Sequence, residues 1–407
     1  MTAAKQEFET PYAWARLTAS LGLMALGGVG MYSAAVALPP IQADFGITRS
    51  EASLPYTVTM IGFGFGGILM GRLADRFGVM VPVMIGTVAL GVGFIAAGLA
   101  PNLAVFAIAQ CLLIGALGNA ATFVPLVADT SLWFTRRRGI AVAICASGNY
   151  LAGAIWPPVL QHFFDLAGWR QTFVGVGIFS IVAMLPLALV LRRRPPDLAV
   201  PQPSVRGAHP SAQPLGFTPG ALQAILCVAG LSCCVAMSMP QVHIVAYCGD
   251  LGFGPARGAE MLSLMLGFGI VSRLASGWIC DHIGGLRTLL LGSLLQGIAL
   301  ALFLFFDGLA SLYVISALFG LFQGGIVPSY AIIVREYFTP REAGARVGLV
   351  LMATLFGMAL GGWMSGVVFD LTGSYRAAFV NGIGWNLLNV TIAAGLFYRA
   401  KRQHAFA

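Results

Sequence analysis

Long apolar stretches separated by short polar segments dominate the chain and constrain its fold more than any other feature. A helix of ~20 apolar residues crosses the ~30 Å hydrocarbon core of a bilayer, whereas a barrel strand needs only ~10 residues with strict alternation. The continuous stretches favour helices, and twelve are predicted, at 17–39, 52–71, 80–99, 103–128, 139–163, 171–191, 219–247, 258–280, 287–306, 310–334, 344–368 and 377–398. The sequence therefore predicts an all-α integral membrane protein with twelve transmembrane helices.

The composition excludes several classes of protein. Charged residues make up 9% of the 407 residues and the mean hydropathy is +0.85, whereas a soluble domain carries roughly 25% charged residues. A soluble enzyme, a disordered protein and a nucleic-acid-binding domain are therefore excluded. The seven cysteines form no C-x-x-C pair and no cluster with metal-ligand spacing, so no metal or cofactor is expected. Residues 17–37 end in an A-x-A pattern like a signal cleavage site, but Glu7 and Glu9 precede them, which favours a retained first span.

A proline-rich and arginine-rich segment divides the chain. Residues 192–218 contain six prolines and four arginines and few bulky apolar side chains, which is typical of a linker. We expect an N-terminal six-helix bundle at 1–191, a cytoplasmic linker at 192–218 and a C-terminal six-helix bundle at 219–407.

The distribution of basic residues predicts the orientation. If both termini are cytoplasmic, 18 of the 23 lysines and arginines lie in inside segments and 4 in outside segments. This bias agrees with the positive-inside rule. The remaining basic residue, Arg273, lies within a span. We expect a multi-pass protein of a bacterial inner membrane with both termini in the cytoplasm.

The two halves repeat one another. The segment Gly71-Arg72-Leu73-Ala74-Asp75-Arg76-Phe77-Gly78 follows the second span, and Gly277-Trp278-Ile279-Cys280-Asp281-His282-Ile283-Gly284 follows the eighth, 206 residues later. The same offset relates Trp169-Arg170 to Tyr375-Arg376. Matched punctuation at a constant offset indicates a duplicated unit, and therefore two pseudo-symmetric six-helix bundles.

These motifs resemble those of the major facilitator superfamily, whose signature is the G-x-L-x-D-R-x-G segment at residues 71–78. Within it, the chain is most similar to the branch of monocarboxylate porters and oxalate–formate exchangers. That similarity depends on the segments 133–139 and 168–170 and on Arg273, eight residues before Asp281. The resemblance implies the major facilitator fold and a monomeric secondary transporter.

The signature segment has a physical interpretation of its own. Gly71 and Gly78 would permit a tight reversal, and Asp75 would lie near the positive end of the third span. The resemblance implies that the segment latches the cytoplasmic side in one state of the transport cycle. The alternative is a simple connection that obeys the positive-inside rule. The candidate gating residues are Gly71, Arg72, Asp75, Arg76, Gly78 and Asp281.

Arg273 is the most informative residue for function. Eight residues of helix correspond to ~12 Å, so Arg273 is expected near the middle of the membrane, as the only Asp, Glu, Lys or Arg well inside a span. A charge at that depth faces a cavity and has a partner, and no acidic residue is predicted deep enough to be that partner. A substrate carboxylate could pair with the guanidinium through two hydrogen bonds. The alternatives are snorkelling to the cytoplasmic edge or bracing Asp281.

Other polar residues within spans are candidates for the wall of a substrate cavity. The resemblance implies that the first, fourth, fifth, seventh, eighth, tenth and eleventh spans line the path. His243 could carry a coupled proton, contact substrate or serve a structural role. Asn149, near mid-depth in the fifth span, is the best of the remaining candidates, and the others are Tyr32, Asn119, Tyr150, Gln241, Gln323 and Tyr330.

The leading hypothesis is a transporter of a small organic anion, a monocarboxylate, that works by alternating access. Proton symport and anion exchange both remain open. The resemblance implies a lysine in the eleventh span of dicarboxylate exchangers, and none is present at 350–354, so one fixed charge suits one carboxylate. Gly269 stands where animal porters of this branch carry an aspartate, and the first span has no lysine, which argues against proton coupling by that pair. The expected partners are that substrate, membrane lipids and, in the case of symport, a proton, but no nucleic acid.

Two alternatives remain. A proton-coupled efflux transporter of drugs or other cations would share the fold, but such pumps need acidic residues in the membrane. A membrane receptor or assembly protein that transports nothing is less consistent with the paired motifs and short outer segments. An enzyme is not expected, because no nucleophile–base constellation, metal spacing or phosphate-binding loop is present.

Overall fold

The computed structural model describes residues 9–134, 137–193 and 214–406. Within these residues, twelve helical spans are long and apolar enough to cross a membrane, which confirms the predicted architecture. They are Pro11–Val36, Arg49–Phe77, Met80–Gly98, Leu103–Trp133, Gly139–Ala167, Trp169–Arg192, Pro219–Asp250, Pro255–Ile283, Gly285–Phe305, Leu309–Tyr337, Glu342–Thr372 and Tyr375–Arg402. Most of the predicted linker, including Arg194 and Arg206, lies outside the described residues.

Several spans consist of more than one helix. The helices are α1 (Pro11–Gly27), α2 (Val29–Val36), α3 (Leu38–Phe45), α4 (Arg49–Phe77), α5 (Met80–Gly98), α6 (Leu103–Ile108), α7 (Ala120–Trp133), α8 (Arg138–Ala167), α9 (Trp169–Leu189), α10 (Pro219–Asp250), α11 (Pro255–Ile283), α12 (Gly285–Phe305), α13 (Leu309–Gln323), α14 (Ile326–Tyr337), α15 (Pro340–Thr372) and α16 (Tyr375–Phe406). A π-helical stretch, Ala109–Asn119, joins α6 to α7. Short 3₁₀ turns occupy Val190–Arg192 and Pro214–Gly216.

The helices group into two compact units. The N-terminal unit contains the described residues within Met1–Gly46 and Leu54–Pro201, and the C-terminal unit those within Ile47–Ser53 and Gln202–Ala407. In the N-terminal unit α1 packs on α8 and α5 on α9, and in the C-terminal unit α10 packs on α15 and α12 on α16. The segment Ile47–Ser53, which includes the first turn of α4, belongs to the C-terminal unit, and the sequence did not predict this.

Equivalent caps begin the first helix of each unit. The Thr10 hydroxyl accepts a hydrogen bond from the Ala13 N–H (3.3 Å), and the Thr218 hydroxyl accepts one from the Ala221 N–H (3.3 Å). A proline follows each threonine, at the first helical position, where a missing N–H costs nothing. The same local chemistry therefore sets the start of the first and seventh spans.

Close helix packing inside each unit depends on glycine. A Cβ added at Gly148 of α8 would lie 2.8 Å from the Met24 Cβ of α1, and one added at Gly357 of α15 would lie 3.0 Å from the Cys234 Cβ of α10. Small residues allow helices to approach in this way in membranes, where lipid tails are as apolar as leucine and apolar burial contributes little. Large apolar side chains such as Leu99, Leu166 and Phe305 remain exposed at the surface of the protein, as lipid contact requires.

The structure corrects the interpretation of the signature segment. Residues 71–77 are the last two turns of α4 rather than a loop, so Gly71 makes no reversal and Asp75 lies at the end of the second span, not the start of the third. The helix continues past the apolar stretch, and its charged side chains there, Arg72, Asp75 and Arg76, are exposed. The turn itself is at Gly78, with φ = 84°, and Gly284 repeats it with the same φ. Only glycine adopts this backbone conformation without strain.

Candidate functional site

The N-terminal unit contains a pocket beside a break in its first span. Gly28 separates α1 from α2, and next to it the fourth span changes from π-helix to α-helix at Asn119. The pocket is open on one side, and its cavity volume of about 10 Å³ has room for about one water molecule. Its wall consists of Met24, Gly28, Met31, Phe63, Asn119, Thr122, Phe123 and Asn149. Irregular backbone at membrane depth occurs where protein or a cavity surrounds it, and π-helical turns are frequent at functional sites.

Asn119 holds the broken first span. With its amide oriented to satisfy both of its groups, Asn119 donates to the Gly27 carbonyl (2.8 Å) and accepts from the Met31 N–H (3.2 Å). These backbone groups flank the break at Gly28, where the regular helical ladder is interrupted. The side chain therefore has a structural role at the rim of the pocket, in addition to any contact with a ligand.

Asn149, the preferred candidate from the sequence, lies in the same pocket. Its Nδ2 is 3.6 Å from the Met31 sulfur, which is a weak acceptor. A stronger acceptor could replace this sulfur, so the amide can bind a polar ligand atom. Tyr32, the residue after Met31 in α2, is buried and is not part of the pocket wall.

The C-terminal unit places two glutamines at an equivalent break. The tenth span is interrupted at Gly324 and Gly325, between α13 and α14. Gln323 precedes this break, and its Oε1 accepts a hydrogen bond from the Gln241 Nε2 (3.1 Å). Both side chains are buried, and the Gln323 Nε2 has no hydrogen-bond partner in the part of the chain that the structure describes.

Arg273 lies on α11 at the level of this break. A Cβ added at Gly324 would lie 2.8 Å from the Cβ of Ser272, the residue before Arg273. Arg273 itself is half-buried. It therefore shares its depth in the bundle with Gln323 and, through the hydrogen bond, with Gln241.

His243 is fully buried in α10, and protein groups hold both of its ring nitrogens. Nε2 lies 2.8 Å from the Gly362 carbonyl, and Nδ1 lies 3.1 Å from the Tyr375 hydroxyl. Because a carbonyl only accepts, Nε2 carries the proton, and in the neutral ring Nδ1 accepts from Tyr375. This arrangement favours a structural or proton-dependent role over direct contact with substrate.

Tyr330 faces the packing between helices of the C-terminal unit. Its hydroxyl donates to Asn389 Oδ1 (2.8 Å), and Asn389 Nδ2 donates to Ser293 Oγ (2.7 Å). Asn386 makes similar contacts with the Ser293 carbonyl and with Gln296. The asparagines of the twelfth span thus pack against the ninth span, and Tyr330 joins that network.

A buried ion pair in the N-terminal unit escaped the sequence analysis. Arg16 of α1 donates to Asp129 of α7 through Nε (2.8 Å) and Nη2 (2.9 Å), and the two side chains are 2% and 6% exposed. Arg16 and Asp129 therefore lie within spans, close to the span ends, whereas the sequence analysis placed both outside the spans. The error arose because the apolar stretches end before these helices do. Asp129, assigned to a segment between spans, lies one turn from the end of α7.

The gating candidates lie near helix ends. Arg72, Asp75, Arg76 and Asp281 are exposed, and Gly78 forms the turn between α4 and α5. In the second copy of the motif, the Gly285 N–H at the start of α12 donates to Glu336 Oε1 (3.1 Å). This contact satisfies one of the N–H groups that lack an intrahelical partner at a helix start.

The fold and these polar sites define a class of protein: an integral multi-pass membrane protein with two helical units and no soluble catalytic domain among the described residues. The family model described as the Major Facilitator Superfamily matches residues 19–311 and 261–406. The chain belongs to this superfamily, and it is a transporter rather than an enzyme.

Individual relatives refine the comparison. The chain is 31% identical over 318 residues to "Monocarboxylate transporter 13" of Bos taurus, which covers 78% of this chain and 73% of that one. It is 22% identical to "Agnestins efflux protein AgnL12" of Paecilomyces divaricatus, over 70% of this chain and 63% of that one. A solved structure of a bacterial homologue of the human lysosomal transporter Spinster has a TM-score of 0.74 at 15% identity, covering 97% and 98% of the two chains. This last similarity shows the fold alone.

Proposed function

We propose that this chain is a secondary active transporter that moves a small organic anion, a monocarboxylate, across the membrane by alternating access. The observation that carries the proposal is the placement of Arg273 within α11, half-buried and level with the break after Gln323. An arginine inside a span is costly and faces the bundle interior or a water-filled cavity. The similarity to a monocarboxylate transporter supports the same substrate class.

The chemistry at this level of the C-terminal unit suits a carboxylate. A guanidinium offers two parallel N–H donors that match both oxygens of a carboxylate. The Gln323 Nε2, which lacks a described partner, provides a further N–H donor in the same unit. We therefore assign substrate binding to Arg273 and Gln323.

In the N-terminal unit we propose Asn149 as the foremost binding residue. Among the described residues, the hydrogen-bond partner of its amide nitrogen is a thioether, so a ligand carbonyl or hydroxyl can replace that contact at little cost. Asn119 contributes mainly by keeping the first span broken at Gly28. The methionine and phenylalanine side chains around them give the pocket an uncharged wall.

The test is uptake of labelled monocarboxylates by the purified protein in proteoliposomes. Arg273→Ala should abolish uptake with normal insertion, and Arg273→Lys should raise KM at least tenfold because an ammonium cannot form the two-bond fork. Arg257→Ala is a matched control, because Arg257 is on the same helix and half exposed, beside Glu260. Unchanged carboxylate uptake by Arg273→Ala would refute the assignment.

Cation or drug efflux is the second candidate, and similarity to an efflux protein is the observation that favours it. Such a pump needs an acidic group that is available within the membrane. Asp129 is buried in a span, but both of its carboxylate oxygens accept hydrogen bonds from Arg16. A thermal-shift screen with carboxylates, sugars and cationic drugs discriminates the two, because a ligand that binds only the folded state raises Tm. Stabilisation by cationic drugs alone would favour efflux.

We further propose that both termini are cytoplasmic in a bacterial inner membrane. The excess of basic residues in the assigned inside segments supports this orientation. It places Gly71, Arg72, Asp75, Arg76, Gly78 and Asp281 at the cytoplasmic side, where they would latch that side shut in one state. The test fuses a fluorescent protein or alkaline phosphatase to the C-terminus. A fluorescent protein that fails to fluoresce, together with an active phosphatase, would show that the C-terminus is outside and would contradict the proposed orientation.

A further inference from the structure

A chain of hydrogen bonds in the C-terminal unit links a buried histidine to the first turn of α4. The Tyr375 hydroxyl, bonded to His243, also accepts from Arg49 Nη1 (3.0 Å), and Arg49 Nη2 donates to Asp250 Oδ1 (3.1 Å). The guanidinium carbon of Arg49 lies 4.7 Å from the ring centre of Phe369, within the range of a cation–π contact. Arg49 is only 8% exposed, so these contacts bury a charge.

The backbone of the same turn is held by a second carboxylate. The N–H groups of Arg49 and Ser50 donate to Asp370 Oδ1 (2.9 Å) and Oδ2 (2.8 Å). The first N–H groups of a helix have no partner within the helix, so Asp370 caps α4 from a distant part of the chain. Every residue that holds this turn belongs to the C-terminal unit.

The direction of the hydrogen bonds makes this arrangement sensitive to a proton. With His243 neutral, Arg49 Nη1 donates to the Tyr375 oxygen and the Tyr375 hydroxyl donates to Nδ1. If Nδ1 gains a proton, it must donate to the oxygen that already accepts from Arg49. The Tyr375 proton then has no acceptor, and two cations share one oxygen in a buried site.

The groups around this ring come from α4, α10, α15 and α16. Tyr375 of α16 and Tyr247 of α10 pack against each other with ring centres 5.5 Å apart, and neither carries charge near neutral pH. Arg49 is the positive group that would face a protonated ring across the Tyr375 oxygen, whereas Asp370 of α15 is the negative group that contacts the same turn of α4. Asp370 is committed to the two N–H groups of α4, and Asp250 to Arg49, so Arg49 is the nearest charge in the hydrogen-bond chain.

We propose that His243 is a proton-responsive switch that controls the docking of Ile47–Ser53 in the C-terminal unit. The neutral ring keeps Arg49 bound, and protonation expels Arg49, so that the Asp370 cap is lost with it. The switch provides a route by which proton binding could drive a conformational step. It is independent of which substrate the protein carries.

Hydrogen exchange of the full-length protein in lipid nanodiscs tests the switch without any transport assay. The Thr48 and Glu51 N–H groups have partners within the segment 47–53, so overlapping peptides are used to isolate the amides of Arg49 and Ser50, whose protection reports the Asp370 contact. Corrected for the intrinsic exchange rate, this protection should fall about tenfold or more as the pH is lowered from 7.5 to 4, and the His243→Gln variant separates protonation of the histidine from protonation of the aspartates. The protection of α12 should stay constant and serves as the internal control for folding.

Variants make the result specific. His243→Gln keeps a donor for the Gly362 carbonyl but cannot be charged, so residues 47–53 should stay protected at both pH values. His162→Gln changes an exposed histidine of the N-terminal unit and should retain the wild-type pH dependence. Protection that does not change with pH in the wild type, or a wild-type slope in a folded His243→Gln protein, would overturn the proposal. The effect of Arg273→Ala on carboxylate transport tests the proposed substrate site and does not test the His243 switch.

Discussion

Replacing Asp129 by asparagine should destabilise the N-terminal unit by about 3–5 kcal/mol, the cost of leaving one member of a buried ion pair without its counter-charge. The estimate follows from the geometry. Arg16 and Asp129 form a two-bond fork with both side chains almost fully buried, and the carboxamide of asparagine can accept only one of the two bonds. The Tyr12 hydroxyl and the Arg193 carbonyl, which Arg16 also contacts, carry no formal charge that could replace the carboxylate.

The assay is thermal unfolding of the purified protein, followed by a thiol-reactive fluorophore that reports exposure of buried cysteines such as Cys145. A loss of this size corresponds to a fall in Tm of roughly 6–20 °C for a unit of ~200 residues. Arg257→Gln, which removes an exposed ion pair, should leave Tm unchanged and is the matched control.

The double variant Arg16→Leu with Asp129→Leu decides whether charge is the cause. Replacing both members of a buried ion pair by apolar residues is often neutral or stabilising, so the double variant should recover at least half of the loss. If the double variant melts at a temperature as low as that of Asp129→Asn, the pair contributes through shape or packing, and the electrostatic reasoning is wrong.

Two further predictions concern packing in the C-terminal unit. Gly361→Ala should lower stability by about 1–3 kcal/mol, because the new Cβ would lie 2.7 Å from the Val235 Cα, whereas Gly384→Ala meets nothing and should be neutral or stabilising in thermal unfolding. Tyr330→Phe should cost about 1–2 kcal/mol, since Asn389 loses its buried donor, and should leave the KM for substrate unchanged in uptake assays. A raised KM in this variant would indicate instead that Tyr330 contacts the substrate.

Hydropathy and the repeat were sufficient to predict the twelve spans and the family. The ends of the helices were harder to predict from the sequence, because a helix continues as long as its backbone hydrogen bonds are made, whether or not its last turns are apolar. The sequence analysis therefore placed Arg16, Arg49 and Asp129 outside the spans, although each of them lies in a helix and is buried. Their partners are more than 100 residues away in sequence, so no local pattern could have paired them.

The candidate site was predicted in part. Asn119 and Asn149 do share a pocket, whereas the contacts of His243 and Tyr330 lie with other protein groups. A polar residue in a span can satisfy a backbone break, a neighbouring helix or a ligand, and its type alone does not distinguish these. The position of each backbone break, which depends on tertiary packing, supplies the missing distinction.

The breaks themselves follow the internal repeat. Asn119 and Gln323 are 204 residues apart, the offset that also relates Trp133 to Tyr337, and each is a buried amide at an irregular point of the fourth span of its unit. Asn119 bonds the backbone of the first span of its unit, and Gln323 bonds a side chain of the equivalent seventh span. In one unit the amide is fully used by the protein, and in the other an N–H remains without a described partner. Because duplicated units begin alike, this difference supports the proposal that Gln323 binds a ligand in the C-terminal unit.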